Sequence, residues 1–238
     1  LIATGSMPFI LPLPGKDLEG VIAFRDIDDV QKMLDTAALP QAKAVVIGGG
    51  LLGLEAAAGL RLRGMEVVVL HVMGHLMDRQ LDPSAGYLLQ KDLERRGIKV
   101  HCKANTKAIL GQNRVEAVLL EDGTVYDADI VLMAVGIRPE TRVAKDAGLE
   151  IARGIVVDDA MRTSDPHILS IGECVEHNGA LYGLVAPLYD QAKVVAATLL
   201  GQEAGFVPVE LSTKLKVTGC DLFSAGDFGD APDREEIV

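Results

Sequence analysis

The sequence predicts an α/β protein built on a parallel sheet, with a small antiparallel meander attached. Three observations carry this. Short β-branched runs alternate with segments at helical spacing, a glycine-rich turn sits at a strand–helix junction, and the stretch from Lys107 to Tyr126 changes to short alternating runs with hairpin signals.

The elements follow in order. Leu1-Ile2-Ala3 reads as a strand already under way, with no cap or polar lead-in, which sets the expectation of a piece of a longer chain. Ala44-Val45-Val46-Ile47 is a β-branched run ending in glycines, and Leu51 to Arg63 follows at helical spacing and closes on Gly64. Glu66 to Leu70 is a second Val-rich strand, Pro83 to Arg96 an amphipathic helix ending at Gly97, and Ile98 to His101 a third strand. This order implies right-handed crossovers between parallel strands. Gly111-Gln112-Asn113 and Glu121-Asp122-Gly123 then break the meander into hairpins, and Ala128 to Ala134 returns to the sheet as a buried strand. Beyond Gly154, strands are expected at Ile155-Val156-Val157 and Ile168 to Ile171, and a helix from Pro187 to Leu200. The segments from Leu211 onward are strand-like and read as the opening of another domain.

Hydrophobic residues make up 49% of the 238 residues and charged ones 24%, enough for a sizeable core. The formal net charge of −11 argues against a nucleic-acid or anionic-membrane partner, since either needs a basic face to displace counterions. No apolar run approaches the roughly 20 residues that span a bilayer, and no secretory leader opens the chain, so the cytoplasm is the expected location. Cys102, Cys174 and Cys220 are widely separated and read as structural thiols, not as a disulfide framework or a metal site. His75, His101, His167 and His177 fall at no metal-ligand spacing, and Met65, Met73, Met77 and Met133 read as core filler.

Gly48-Gly49-Gly50-Leu51-Leu52-Gly53 contains G-x-G-x-x-G after a strand and at the opening of a helix, the context a dinucleotide fingerprint requires. Gly48 permits the tight turn, Gly50 lets backbone approach a pyrophosphate, and Gly53 allows the helix to pack close to the strand. The helix N-terminus then offers unpaired N–H groups and partial positive charge to phosphates. A purely structural glycine turn is the competing reading. At the end of the next strand, where Asp or Glu usually meets the ribose 2′-hydroxyl, the sequence has Leu70-His71-Val72. A histidine there would stack on adenine, face a 2′-phosphate when protonated, or be a surface residue, so NAD and NADP both remain open. Glu55 is read on the first turn of the helix, either stabilising it through the dipole or orienting a lysine near the nicotinamide.

Two segments, Ala3-Thr4-Gly5-Ser6-Met7-Pro8 and Ala134-Val135-Gly136-Ile137-Arg138-Pro139, both read A-x-G-x-x-P after an apolar strand. They bracket the nucleotide-binding pattern and suggest two related domains. Ser170-Ile171-Gly172-Glu173 places a carboxylate at a strand end, where it would suit a flavin's ribityl chain, and Ala186-Pro187 opens a helix whose N–H groups would face a reduced flavin ring. Each of these alone is also a routine strand end or helix start.

As a set, these signatures resemble the two-dinucleotide-domain flavoprotein reductases of the pyridine nucleotide-disulfide oxidoreductase superfamily. The resemblance implies a Rossmann-like NAD(P)-binding domain, with parallel sheet and β-meander, inserted in a partial FAD-binding domain. The implied boundaries are 1–22 for a remnant of the FAD domain, 23–141 for the NAD(P) domain, 142–208 for the later part of the FAD domain and 209–238 for the start of an interface domain. Within the group, His75 to Asp82, Ile171 to Cys174 with Tyr182 to Pro187, and Ser212 to Gly219 are similar to the large subunits of assimilatory NAD(P)H nitrite reductases. Glu173, where most relatives carry Asp, follows that subfamily.

The resemblance implies hydride transfer from NAD(P)H to FAD, then electron transfer through an iron–sulfur centre to sirohaem, where nitrite becomes ammonia. It places Thr4, Gly5, Gly172 and Glu173 near FAD, with Pro187 and Leu188 at the helix start facing its ring. Gly48, Gly50, Leu51, Leu52, Gly53, Glu55 and His71 would hold the nicotinamide nucleotide, with Gly136 at its exit. The implied partners are the remainder of the large subunit and a small subunit, in a homodimeric parent. With no first fingerprint for FAD and no cluster cysteines in these residues, the chain alone is expected to reduce no nitrite and to hold FAD weakly or not at all. Two alternatives stand beside this reading: a stand-alone NAD(P)H:ferredoxin or rubredoxin reductase or NADH oxidase, and a redox-sensing nucleotide-binding module without turnover.

Overall fold

A computed structural model of the chain describes residues 1–209, 212–217 and 219–226. It divides into two compact units. One comprises Leu1–Pro8 and the described residues of 136–210; the other comprises Phe9–Val135 and the described residues of 211–238. In chain order the elements begin with β1 (Ser6–Pro8), β2 (Val21–Ile22), α1 (Ile27–Ala37), β3 (Lys43–Ile47), α2 (Leu51–Leu62), β4 (Glu66–His71), α3 (Pro83–Arg95) and β5 (Ile98–Cys102). They continue with β6 (Thr106–Gly111), β7 (Val115–Leu120), β8 (Val125–Asp127), β9 (Ile130–Met133), β10 (Ile137–Pro139), α4 (Arg142–Asp146), β11 (Ile155–Val157), β12 (Val175–His177), β13 (Ala180–Leu181), α5 (Val185–Leu199), β14 (Ser212–Val217) and β15 (Cys220–Ala225).

The larger unit is organised by a parallel sheet in the order β2-β9-β3-β4-β5. Its central strands are apolar on both faces, as a parallel sheet covered on both sides requires. Side chains divide by the period of two. Val46, Val69 and Leu132 enter a core with Leu54, Ala57 and Leu60 of α2 and Leu93 of α3. Val45, Leu70 and Val131 enter a separate core with Ile109 of β6 and Val118 and Leu120 of β7. A one-residue slip of β3 would exchange these two sets, so packing on both faces holds the register.

Helix boundaries follow local chemistry. Asp82 caps α3 by accepting the Ala85 N–H at 2.8 Å, with Pro83 in the first turn, and Gly97 leaves the helix at φ +83°. Helix α1, which the sequence did not lead us to expect, is capped by Asp26 and is amphipathic, burying Asp29 and Met33 on one face. The meander β6-β7-β8 is antiparallel, with register shifts at Thr106/Ala108 and Leu110/Gly111.

In the smaller unit, β11, β12 and β13 form a short sheet, and Ile155, Val157, Val175, Val194, Val195 and Phe206 share one core. The two A-x-G-x-x-P segments meet here. Strands β1 and β10 pair antiparallel, with Ser6 opposite Pro139 and Pro8 opposite Ile137.

Four expectations are corrected. Residues 9–22 belong with the larger unit, because Glu19 bridges Arg114, β2 joins the parallel sheet, and Ile10, Leu11 and Leu18 pack on the meander-side core. The strands expected at Leu1–Ala3 and Ile168–Ile171 reduce to single bridges, Ile2 with Ser170 and Leu169 with Arg162, since neither partner runs alongside for longer. Helix α5 starts at Val185, two residues before Pro187, because Leu184 is the last residue with extended backbone. In the expected third domain, the hairpin β14–β15 packs Leu215 and Val217 into the helix-side core of the larger unit. Residues 210, 211, 218 and 227–238 lie outside the described residues.

Candidate nucleotide-binding site

The glycine turn leaves β3 and enters α2 under tight constraints. Gly48 has φ +121°, donates its N–H to the Leu70 carbonyl at 2.8 Å, and would place a Cβ only 2.2 Å from the Ala134 carbonyl oxygen. A Cβ on Gly53 would stand 1.9 Å from the Gly48 carbonyl oxygen, so helix and strand touch through that position. A Cβ on Gly49 would meet Leu76 Cδ2 at 2.6 Å and His71 Cγ at 2.8 Å. Gly50 differs: a Cβ there would meet nothing within 4 Å. It is the N-cap residue of α2 and has no side chain to cap the helix. The first-turn N–H groups of Leu51, Leu52 and Gly53 lack the i−4 acceptor that later residues have. With the helix dipole behind them, the turn has the donors and the clearance that a pyrophosphate needs. Leu52, 47% exposed, lies on the outer side of this turn.

His71 ends β4 and is 7% exposed, not the surface residue of one sequence reading. Its Nδ1 accepts the Gly49 N–H at 3.1 Å, and its Nε2 lies 3.0 Å from Asp78 Oδ1. A nitrogen that accepts an N–H carries no proton, so the ring is the neutral Nε2–H tautomer and donates to Asp78. It is neither an imidazolium for a 2′-phosphate nor a ring open for stacking. Met77 closes the other side of the turn, donating its N–H to the Gly49 carbonyl at 2.9 Å while fully buried at φ +53°. A bulky residue in the left-handed region is an outlier and marks a segment held by its surroundings.

Glu55 falls past the first turn of α2, which opens at Leu51, so the dipole reading does not hold. Its Oε1 accepts the Lys216 N–H at 3.1 Å, tying α2 to β14. Arg96 anchors the same hairpin by donating to the Gly219 carbonyl.

The smaller unit gathers Thr4, Gly5, Gly136, Gly172, Glu173, Pro187 and Leu188. Thr4 Oγ1 donates to the Glu140 carbonyl at 2.6 Å, and the Glu140 N–H donates to the Gly5 carbonyl at 2.9 Å. Glu173, half-buried, accepts a hydrogen bond from Ser6 Oγ at 2.7 Å. Gly172, at φ +95° with open space where a Cβ would stand, donates its N–H to Gln191 Oε1 at 2.9 Å. Gln191 is fully buried and its Nε2 has no partner within the protein, an orphaned donor beside the glycine–glutamate turn. Pro187 is buried in the first turn of α5, and Leu188 packs against the unit's core. Gly136, at φ +109°, is the residue at which the chain re-enters this unit. Ser6, Asp78 and Gln191 were not legible as site residues, because each acts on a partner fixed only by the fold.

Both sites offer backbone donors and clearance of the kind a dinucleotide uses, and among the described residues no three His, Cys, Asp or Glu side chains gather as a metal site. Burial pushes the Cys102 and Cys220 thiols up from their ordinary range, with Glu94 adding to the effect at Cys102 and Asp92 at Cys220. Among the described residues no helix is long and apolar enough to cross a membrane.

A parallel sheet with a glycine turn where β3 enters α2, joined in one chain to a second glycine-rich unit, defines the class of the two-dinucleotide-domain reductases. The chain belongs to the pyridine nucleotide-disulphide oxidoreductase family, which matches residues 1–196. It is 52% identical over its whole length to a nitrite reductase [NAD(P)H] of Bacillus subtilis (strain 168), of which it covers 29%. It is 40% identical, over 98% of its length, to a nitrite reductase (NADH) large subunit of Escherichia coli (strain K12), of which it covers 28%. Among solved structures, a NAD-dependent persulfide reductase from A. fulgidus superimposes with a TM-score of 0.90 at 32% identity, over 94% of this chain and 43% of that one. The chain thus spans less than a third of the length of these curated relatives.

Proposed function

We propose that the chain is the reductase portion of an NAD(P)H-dependent nitrite reductase acting in the cytoplasm. The observation that carries this reading is the 52% identity over the whole chain to a nitrite reductase, joined to a glycine turn in which Gly50 alone has no protein neighbour where its Cβ would be. In this reading the nicotinamide-nucleotide domain takes in residues 9–22 together with 23–135, and it is inserted in a flavin domain represented by 1–8 and the described residues of 136–208.

The chain's own residues bind and orient. The N–H groups of Leu51, Leu52 and Gly53 hold the pyrophosphate, Gly48 and Gly53 set the approach of α2 to β3, and Gly50 leaves room for the phosphates. On the flavin side, Ser6 holds Glu173 to accept from the ribityl hydroxyls, Gly172 and Gly5 keep backbone close to the cofactor, Thr4 and Glu140 brace that loop, and the first turn of α5, which opens at Val185 and contains Pro187 and Leu188, turns its free N–H groups toward the ring. Gly136 lines the way out for the nucleotide. When bound, the two cofactors supply hydride transfer from NAD(P)H to FAD, and in the longer protein an iron–sulfur centre and sirohaem carry electrons singly to nitrite. The remainder of a large subunit, a small subunit and a second copy are the expected partners.

The test uses the full-length protein. Purified, it should show flavin and sirohaem absorption bands, and its oxidation of NAD(P)H should accelerate on adding nitrite, with ammonia as product. A protein with flavin but no sirohaem band, oxidising NAD(P)H at the same rate with or without nitrite, would contradict the assignment.

A further inference from the structure

The end of β4 carries a histidine where a dinucleotide site usually carries the carboxylate that accepts the ribose 2′-hydroxyl. The carboxylate is nevertheless present, one imidazole further out. His71 Nδ1 takes the Gly49 N–H, and its Nε2–H presents the ring's far edge to Asp78 Oδ1 at 3.0 Å. Asp78 comes from seven residues downstream, on a segment whose backbone is tied to the glycine turn. Met77 before it is fully buried in the left-handed region and donates its N–H to the Gly49 carbonyl, and its own carbonyl accepts from Gln80 at 2.7 Å and Leu81 at 2.9 Å. Gly49 is thus gripped at both its N–H and its C=O by the segment that delivers Asp78. The His71 side chain is 9% exposed and that of Asp78 is 23% exposed, so the ring is interior and the carboxylate reaches the surface at the strand end.

We propose that Asp78, carried on the neutral His71 ring, is the carboxylate that meets the adenosine ribose, and that it makes the site select NADH over NADPH. The inference rests on the reading of the glycine turn as a nicotinamide-nucleotide site. His71 is a positioning residue: it transmits the glycine turn's geometry to the carboxylate. Asp78 is the specificity-determining group, with a hydroxyl of NADH able to donate to it and the doubly charged 2′-phosphate of NADPH repelled. Two cations border the same loop. Arg79 is exposed next in sequence, and Lys103 Cε lies 3.6 Å from where a Cβ on Gly74 would stand. Were they to govern the site, the preference would reverse, so the sign of the selectivity is informative by itself.

The experiment is a fluorescence titration of NADH and of NADPH, separately, into the 238-residue chain and its Asp78→Asn variant at low ionic strength. The substituted amide retains an oxygen for the His71 N–H and loses only the charge, and circular dichroism confirms that the fold is kept. The unaltered chain should bind NADH more tightly than NADPH by about tenfold or more, and Asp78→Asn should shrink that ratio by at least about fivefold, mainly by tightening NADPH. Tighter binding of NADPH to the unaltered chain, or an unchanged ratio in the variant, overturns the assignment of Asp78 while leaving the nucleotide site standing. Binding of neither nucleotide by the folded chain overturns the nucleotide reading itself, and this inference with it.

Discussion

Gly48, Gly49 and Gly53 are required by the protein's own packing, whatever the turn binds. At each, an added methyl group would collide with a backbone carbonyl or a packed side chain, and Gly48 also needs its positive φ. Gly53→Ala should therefore destabilise the larger unit by about 1–3 kcal/mol, as overpacking does, seen as a melting shift of roughly 2–12 °C; an unchanged melting temperature would mean that α2 is free to move off β3. The cysteines allow a second check. Cys174 is fully buried, and burial raises the thiols of Cys102 and Cys220, which disfavours the reactive thiolate at neutral pH. A thiol reagent at pH 7 should modify all three slowly in the native chain and quickly in denaturant. Rapid native labelling of any one would contradict its structural role. The fingerprint glycines were legible because their spacing is local. The place of His71 was not, since its meaning depends on Gly49 and on an Asp78 delivered by the left-handed turn at Met77.

At the level of elements, strands β3, β4 and β9 were readable because they are buried on both faces and so consist of unbroken apolar runs. Leu132→Ala, in the helix-side core with no exposed surface, should cost about 2–5 kcal/mol in chemical denaturation. Ile27→Ala, on helix α1 and 81% exposed, should stay within about 0.5 kcal/mol. Similar losses at the two positions would mean that α1 is packed against something in solution. Helix α1 was missed although its pattern is amphipathic: Met33 and Ala37 turn to the core while Ile27 stands in solvent. The bridges that replace a strand near Ile168 were illegible, because a pairing one residue long leaves no periodic trace.

Across the whole molecule, the division into two units follows from a chain that leaves one after Pro8 and returns to it at Gly136. The repeated A-x-G-x-x-P segments marked those crossings in the sequence, and their direct pairing as β1 and β10 gives the repeat a physical basis. Sequence alone misplaced residues 9–22 because they have no long element of their own and are claimed by the edge of the parallel sheet through β2. The complete parallel sheet and its glycine turn lie in the larger unit, so nucleotide binding should be a property of these 238 residues. Titrating NADH into the chain and into its Gly50→Ala variant tests this most directly, since an alanine there meets no protein atom within 4 Å. The account predicts saturable one-site binding to the unaltered chain, weakened at least about tenfold in the variant, with melting temperatures that agree. Equal affinity in the two proteins, or no binding by the folded unaltered chain, would contradict it.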